Sequence, residues 1–246
     1  MRAPPPSFGE DPMRTDHYDS FAEAYDAENA SSLVNAHYER PAMIALAGDV
    51  RGRRILDAGC GSGPLSAALR ERGAEMSGFD GSPAMIELAR RRLGDGVPLE
   101  VADLAEPLPY DDESFDVVVA SLVLHYLEDW SGPLAELRRV LTPGGRLIVS
   151  VNHPTVYMIN YPDQDYFVTR RFSEEYEFAG QAGTLTYWHR PLHAVTDAVI
   201  SAGFRIAALA EPPVSPLAPP ELLPPKIRSG EKSAFLCFLF LVLEKA

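Results

Sequence analysis

Short, unbroken apolar runs alternate along this chain with segments whose apolar residues return every three or four positions. The runs at 53–57, 75–79, 97–102, 115–120, 146–151, 204–210 and 234–243 have strand length, and 115–120 carries a single polar side chain, Asp116. An apolar run of that kind fits a parallel strand covered on both faces. Residues 64–73, the segment after Pro83, the segment after Ser131 and 192–202 have helical spacing instead, with Met85, Ile86, Ala89 and Leu93 on one inward face. Ser82 and Ser131 have the chemistry of N-caps, and Pro83 suits a first helical turn. Strands and helices alternating at this length predict an α/β fold with a mainly parallel sheet.

Ahead of this pattern, Asp16 to Ala47 reads as two helices. Phe21, Ala24 and Tyr25 share one face of the first, while Leu33, Ala36, His37, Met43 and Leu46 recur along the second. The expected organisation is an arm at 1–15, disordered and proline-rich, then one domain over 16–246 with a helical cap at 16–50. Residues 152–190 interrupt the alternation with Tyr157, Tyr161, Tyr166, Phe167, Phe172, Tyr176, Phe178, Tyr187 and Trp188.

The chemistry concentrates at 55–63, Ile-Leu-Asp-Ala-Gly-Cys-Gly-Ser-Gly. Apolar residues reach an acid, Asp57, then Gly59, Gly61 and Gly63 alternate before Pro64 opens a helix. Glycines here allow a sharp turn and close approach of a ligand to the backbone. A strand, glycine turn and helix start make a nucleotide-type cradle. The spacing is not the G-x-G-x-x-G of dinucleotide folds, and Asp57 would repel a phosphate. A carboxylate there suits a ligand with a positive group, such as an amino-acid ammonium beside a sulfonium. Asp80 ends the second strand, where a carboxylate accepts from ribose hydroxyls. Asp103 ends the third and can accept from an adenine amino group, with Leu104 beside it.

These motifs resemble the class I S-adenosylmethionine-dependent methyltransferases, in the branch that includes the ubiquinone/menaquinone methyltransferases. The resemblance covers residues 53–151 and rests on 56–63, Gly78 to Met85, Ala102-Asp103-Leu104, Phe115 to Ser121 and Leu141 to Leu147. It implies a Rossmann-like seven-stranded, mostly parallel sheet with helices on both faces and an antiparallel last strand beside the fifth. It also implies S-adenosylmethionine as cofactor, with Met85 and Ser121 joining Asp57, Gly59, Gly61, Asp80, Asp103 and Leu104 in its site. Tyr18 and Tyr25 in the cap are candidate faces for the sulfonium, and Arg40 for the cofactor carboxylate. The insertion at 152–190 leaves the carboxyl edge of the sheet, where ligands bind. It is therefore the expected acceptor pocket, and its aromatics favour a planar or apolar acceptor. His153 at its start, His125 after the fourth strand and His189 at its end are the candidate bases, since a histidine titrates near neutrality. His193 is expected in solvent.

Composition narrows the acceptor. The chain has 246 residues and a net charge of −13, which disfavours nucleic acid because phosphate affinity rests on Lys and Arg. Arg90, Arg91 and Arg92 are expected to form a solvated helix face. Two cysteines, Cys60 and Cys237, read as free thiols of a cytoplasmic protein, and no apolar run is long enough to span a bilayer as a helix. No His, Cys or carboxylate cluster has metal-ligand spacing. The sequence thus predicts a methyltransferase acting on a small aromatic or hydrophobic metabolite, with O- or N-methylation favoured slightly over C-methylation. The competing readings are methylation of a macromolecule (a modified tRNA base or a carrier-bound acyl group) and a SAM-binding protein that transfers nothing. The last would need no acceptor cavity.

Overall fold

The computed structural model describes residues 18–245; the expectation of a disordered arm at 1–15 falls outside them. Seven strands form the main sheet: β1 (Arg54–Ala58), β2 (Glu75–Asp80), β3 (Leu99–Val101), β4 (Phe115–Ser121), β5 (Leu141–Asn152), β8 (Phe204–Ala210) and β9 (Phe238–Lys245). Their order is β3-β2-β1-β4-β5-β9-β8. The pairs from β3 to β5 are parallel, while β9 lies antiparallel between β5 and β8. The chain order reverses between β1 and β4, which creates the crevice where open sheets bind ligands.

Helices cover both faces: α3 (Pro64–Arg70), α4 (Pro83–Leu93), α5 (Ser131–Val140) and α7 (Leu192–Ser201). The cap is α1 (Ala22–Ser31), a π-helical turn over Asn35–Glu39 and α2 (Arg40–Ala47). Ile55, Val117, Val119 and Ile148 pack with Met43 and Leu69 on one side of the sheet, whereas Leu56, Val118, Leu147 and Leu241 pack with Leu134 and Leu137 on the other. That two-sided burial is why these strands are almost wholly apolar.

Three local expectations change. Ser82 does cap α4, accepting from the Met85 N–H at 3.1 Å. Ser131 does not cap α5, because Trp130 occupies the N-cap and the Ser131 hydroxyl donates to Asp129 instead. Thr142 to Gly145, whose Thr-Pro-Gly-Gly sequence reads as a turn, lies within β5, where the pairing with β4 shifts register between Phe115 and Val117. The arginine run is not simply solvated. Arg91 pairs with Glu23 at 2.5 Å and Arg92 with Asp26 at 2.8 Å, and Arg92 also donates to the Ser62 carbonyl. With the Ser82 hydroxyl donating to Asp19, these contacts fasten the cap over the glycine turn.

The insertion is more regular than its sequence. After α6 (Pro154–Asn160) it forms a second sheet, the hairpin β6 (Arg170–Phe178) and β7 (Gln181–His189). Ala179 and Gly180 turn it with φ of 47° and 86°, the left-handed pair that two-residue hairpin turns use. Phe178, Leu185 and Tyr187 pack against Phe21 of the cap, so cap and hairpin close over the sheet edge together.

Candidate active site

The loops after β1, β2, β3 and β4, roofed by the cap, enclose one cavity. Every residue expected at the cofactor lines it: Tyr18, Tyr25, Arg40, Asp57, Gly59, Gly61, Asp80, Met85, Asp103, Leu104 and Ser121. Gly59, Gly61 and Gly63 all have positive φ, between 55° and 80°, which explains glycine at alternate positions. Asp80 Oδ2 accepts from the Gly61 N–H at 2.8 Å, and Oδ1 accepts from the Ser82 N–H at 2.9 Å. One carboxylate thereby ties the glycine turn to the start of α4. Asp103 Oδ1 accepts from the Ala105 N–H at 2.9 Å.

Asp57 is buried. Its Oδ2 accepts from the Ser66 hydroxyl at 2.6 Å, but its Oδ1 has no partner. Burial pushes this carboxyl up to about 7, with Ser66 opposing and the Glu39 and Asp80 charges adding. A buried acceptor without a donor calls for a cationic or N–H-bearing ligand group.

Glu39 is a residue that the sequence reading missed. It is buried in the cavity wall, where Oε1 accepts from Ser121 at 2.7 Å and Ser150 at 2.6 Å. Burial raises its carboxyl above the usual range, against those two hydroxyls. Its position was available from spacing, because 39 lies three residues after Ala36 and four before Met43 on the inward face. The π-helical turn sits here too, a feature common at functional sites. Arg40 lines the cavity and donates to the Asn29 carbonyl at 3.2 Å and side-chain oxygen at 2.5 Å.

A second cavity, about 410 Å³, lies between the hairpin, α6 and the ends of β4 and β5. It shares Tyr25, Asn35, Leu122, Tyr126 and Leu185 with the first, so the two adjoin. Leu122 holds φ at 52°, a left-handed conformation costly for leucine and typical of sites where geometry is enforced. Aromatic rings run from one cavity to the other: the Tyr18 and Tyr126 hydroxyls are hydrogen-bonded, Tyr126 stacks on Tyr187 at 5.3 Å, and Tyr187 meets Phe172 at 5.5 Å.

All three candidate histidines line this second cavity, in different states. His153 Nδ1 accepts from the Thr155 N–H at 3.1 Å, capping α6, and Nε2 faces Glu211 at 2.8 Å. With Nδ1 accepting, Nε2 carries the proton and donates, so this arrangement leaves His153 no lone pair for the cavity. His189 Nε2 meets the Tyr166 carbonyl at 2.7 Å, which places its lone pair on Nδ1, and its ring stacks on Tyr157 at 4.0 Å. His125 Nδ1 accepts from the Asn152 N–H at 3.1 Å. His193 is exposed. For His153→Ala the expected result is a loss of about 1 kcal/mol of stability, the ordinary worth of a cap, with His153→Asn recovering most of it in denaturant titrations. Lost turnover at unchanged stability would return His153 to the chemistry.

A parallel sheet reversed at β1/β4, a glycine turn flanked by acids at three strand ends, and a second cavity adjoining the first define a class I methyltransferase fold. Residues 56–149 match the family model described as a methyltransferase domain. A demethylmenaquinone methyltransferase of Clavibacter sepedonicus is 42% identical over 135 residues, 54% of this chain and 55% of that protein. A malonyl-[acyl-carrier protein] O-methyltransferase of Serratia marcescens is 36% identical over 129 residues, 52% of this chain and 48% of that protein. The chain thus spans about half the length of the curated relatives it matches. An S-adenosylmethionine-dependent methyltransferase structure from Mesorhizobium loti superposes with a TM-score of 0.63 at 28% identity, covering 83% of this chain and 96% of that one. Residues 56–149 thus carry a methyltransferase domain, and the chain is similar in sequence and fold to S-adenosylmethionine-dependent methyltransferases. Among the described residues no helix is long and apolar enough to cross a membrane, and no group of three His, Cys, Asp or Glu could hold a metal ion.

Proposed function

We propose that this protein transfers a methyl group from S-adenosylmethionine to a small aromatic acceptor, of quinol or phenol type, held in the second cavity. The observation that carries this is the pair of adjoining cavities, which share Tyr25, Asn35, Leu122, Tyr126 and Leu185 in their walls. A protein that only bound the cofactor would need no second, ring-lined space. S-adenosylmethionine supplies an electrophilic methyl on a sulfonium. Asp57 Oδ1 is the acceptor for its ammonium, Asp80 for its ribose hydroxyls, and Asp103 and Leu104 flank its adenine. Arg40 takes the carboxylate. Tyr18 and Tyr25 present faces to the sulfonium, which attract a cation without over-stabilising it as its charge is lost.

The protein's main contribution is orientation, worth roughly 7–11 kcal/mol in well-aligned reactions. The strained Leu122 and the cap–hairpin clamp supply it by fixing the wall between the two ligands. The names of a demethylmenaquinone methyltransferase and of a ubiquinone/menaquinone biosynthesis C-methyltransferase among the relatives support a quinone-type ring, and with it a carbon as the methylated atom rather than the oxygen or nitrogen favoured from sequence. The family match ends at residue 149, before α6 and the hairpin, so much of the wall of the acceptor cavity lies outside the matched domain. Incubation with methyl-labelled cofactor and 1,4-dihydroxynaphthalene is expected to yield a labelled naphthalene product. Tight S-adenosylhomocysteine binding with no transfer to any phenol or quinol would sink the aromatic-acceptor reading.

The Asp57 assignment has a pH signature. Its folded carboxyl keeps a proton up to about pH 7, whereas an unfolded aspartate loses it near 4. Stability is therefore expected to fall as pH rises through that window and to level off above it. An ammonium beside Asp57 favours the carboxylate, so binding S-adenosylhomocysteine at pH 6 should expel a proton, and affinity should rise with pH up to about 7. Calorimetry in buffers of different ionisation heat measures that proton. No release at pH 6 would separate Asp57 from the ammonium.

A further inference from the structure

Two residues that line the second cavity carry buried N–H donors without partners. His125 is 4% exposed, follows β4 and lines this cavity but not the cofactor cavity. Its Nδ1 accepts from the backbone N–H of Asn152, so in the neutral ring the proton sits on Nε2. That Nε2 has no hydrogen-bond partner. The second donor is Arg190 Nε, also buried and unpartnered. That guanidinium lies 4.7 Å above the Trp130 ring, and its Nη2 donates to the Glu128 carbonyl at 2.6 Å. Buried polar groups are seldom left unpaired, since each costs about as much as a lost hydrogen bond. Two such donors, on residues that line one cavity, mark where a ligand brings acceptors.

We infer that the methyl acceptor carries an oxygen that His125 Nε2–H binds, with Arg190 Nε–H as a second donor to the same ligand. His125 acts as a fixed neutral donor and not as the general base expected from its residue type. Burial alone pushes its imidazolium down to about 3, and the Asn152 N–H already occupies the nitrogen lone pair that would take a proton. The ring is held in place: Tyr126 and Tyr187 meet it edge-on at 4.6 and 5.2 Å. The donor therefore selects by position, accepting a ring with a phenolic, quinol or carbonyl oxygen at one edge and rejecting the oxygen-free isostere. Sites built to hydrogen-bond an oxygen discriminate strongly against analogues that lack it, because their own buried donor is then stranded.

This rests on the aromatic-acceptor reading, and one set of measurements separates the two. Binding of 1-naphthol and its isostere 1-methylnaphthalene is measured on the S-adenosylhomocysteine complex of the full chain. Wild type is expected to prefer 1-naphthol at least tenfold, and His125→Phe to lose most of that preference while keeping its affinity for 1-methylnaphthalene and for S-adenosylhomocysteine. Nitrogen NMR of labelled histidine is expected to show His125 protonated on Nε2 and that nitrogen shifting with 1-naphthol only. Equal weakening of both rings in the variant, or a proton on Nδ1, overturns the inference alone. Failure of wild type to bind either ring, with S-adenosylhomocysteine still bound, overturns the aromatic-acceptor reading and this inference with it. Should His125→Phe fail to fold, the wild-type NMR measurement decides.

Discussion

Asp80→Ala is expected to weaken S-adenosylhomocysteine binding by roughly 10- to 100-fold, the range set by losing a charge-assisted hydrogen bond worth about 1.5–3 kcal/mol. The effect has two sources. Asp80 ends β2 on the wall of the first cavity, where its carboxylate is the proposed acceptor for ribose hydroxyls. It also accepts from the Gly61 and Ser82 N–H groups at 2.8 and 2.9 Å, and alanine leaves both donors facing an emptied position. The glycine turn and the first turn of α4 then lose their common anchor, so the cradle loosens as well as losing an acceptor. Asp80→Asn keeps one oxygen for a backbone donor and should fall between wild type and alanine. Calorimetric titration measures all three, and unchanged affinity in the alanine variant would remove Asp80 from the ribose site.

Gly59→Ala is expected to be the most damaging glycine-to-alanine change among the described residues. An added Cβ would stand 2.5 and 2.9 Å from Val123 Cγ2 and Cβ, on a backbone with φ of 71°. Left-handed strain and overpacking together cost about 2–4 kcal/mol, or a fall of roughly 10 °C in Tm for a domain of this size. Val123 belongs to the loop after β4 that lines the cofactor cavity, so S-adenosylhomocysteine affinity should fall in parallel. Gly61→Ala is the internal comparison. Its φ of 55° is also positive, but no atom lies within 4 Å of the added Cβ, leaving about 1 kcal/mol of conformational strain. Equal Tm values for the two variants would show that the approach of Val123 does not constrain the turn.

How far the site was legible in the sequence follows from how its parts are built. Asp57, Gly59, Gly61, Asp80 and Asp103 each sit where a strand ends, and a strand end can be read from a local apolar run. Parallel topology then brings consecutive strand ends to one edge, so local patterns sufficed to gather the residues that line the first cavity. Glu39 broke the apolar face of a helix, a local signal of the same kind. The hairpin was less visible: its turn is Ala-Gly rather than Asn-Gly, and β6 exposes much of both faces, so it lacks the alternation that marks a half-buried strand. Ser131 looked like a cap because capping chemistry is local, but the hydroxyl found Asp129 instead.

The sequence by itself determined the sheet, its glycine turn, the acids at its edge and the aromatic character of the insertion, because period, glycine and charge act over a few residues. Only the tertiary structure decided how the histidines are used. Asn152 fixes the His125 tautomer from 27 residues away, and Glu211 engages His153 from 58. A histidine's proton location depends on which partner reaches each nitrogen and on how deeply the ring is buried. Packing sets both, and no local pattern contains them.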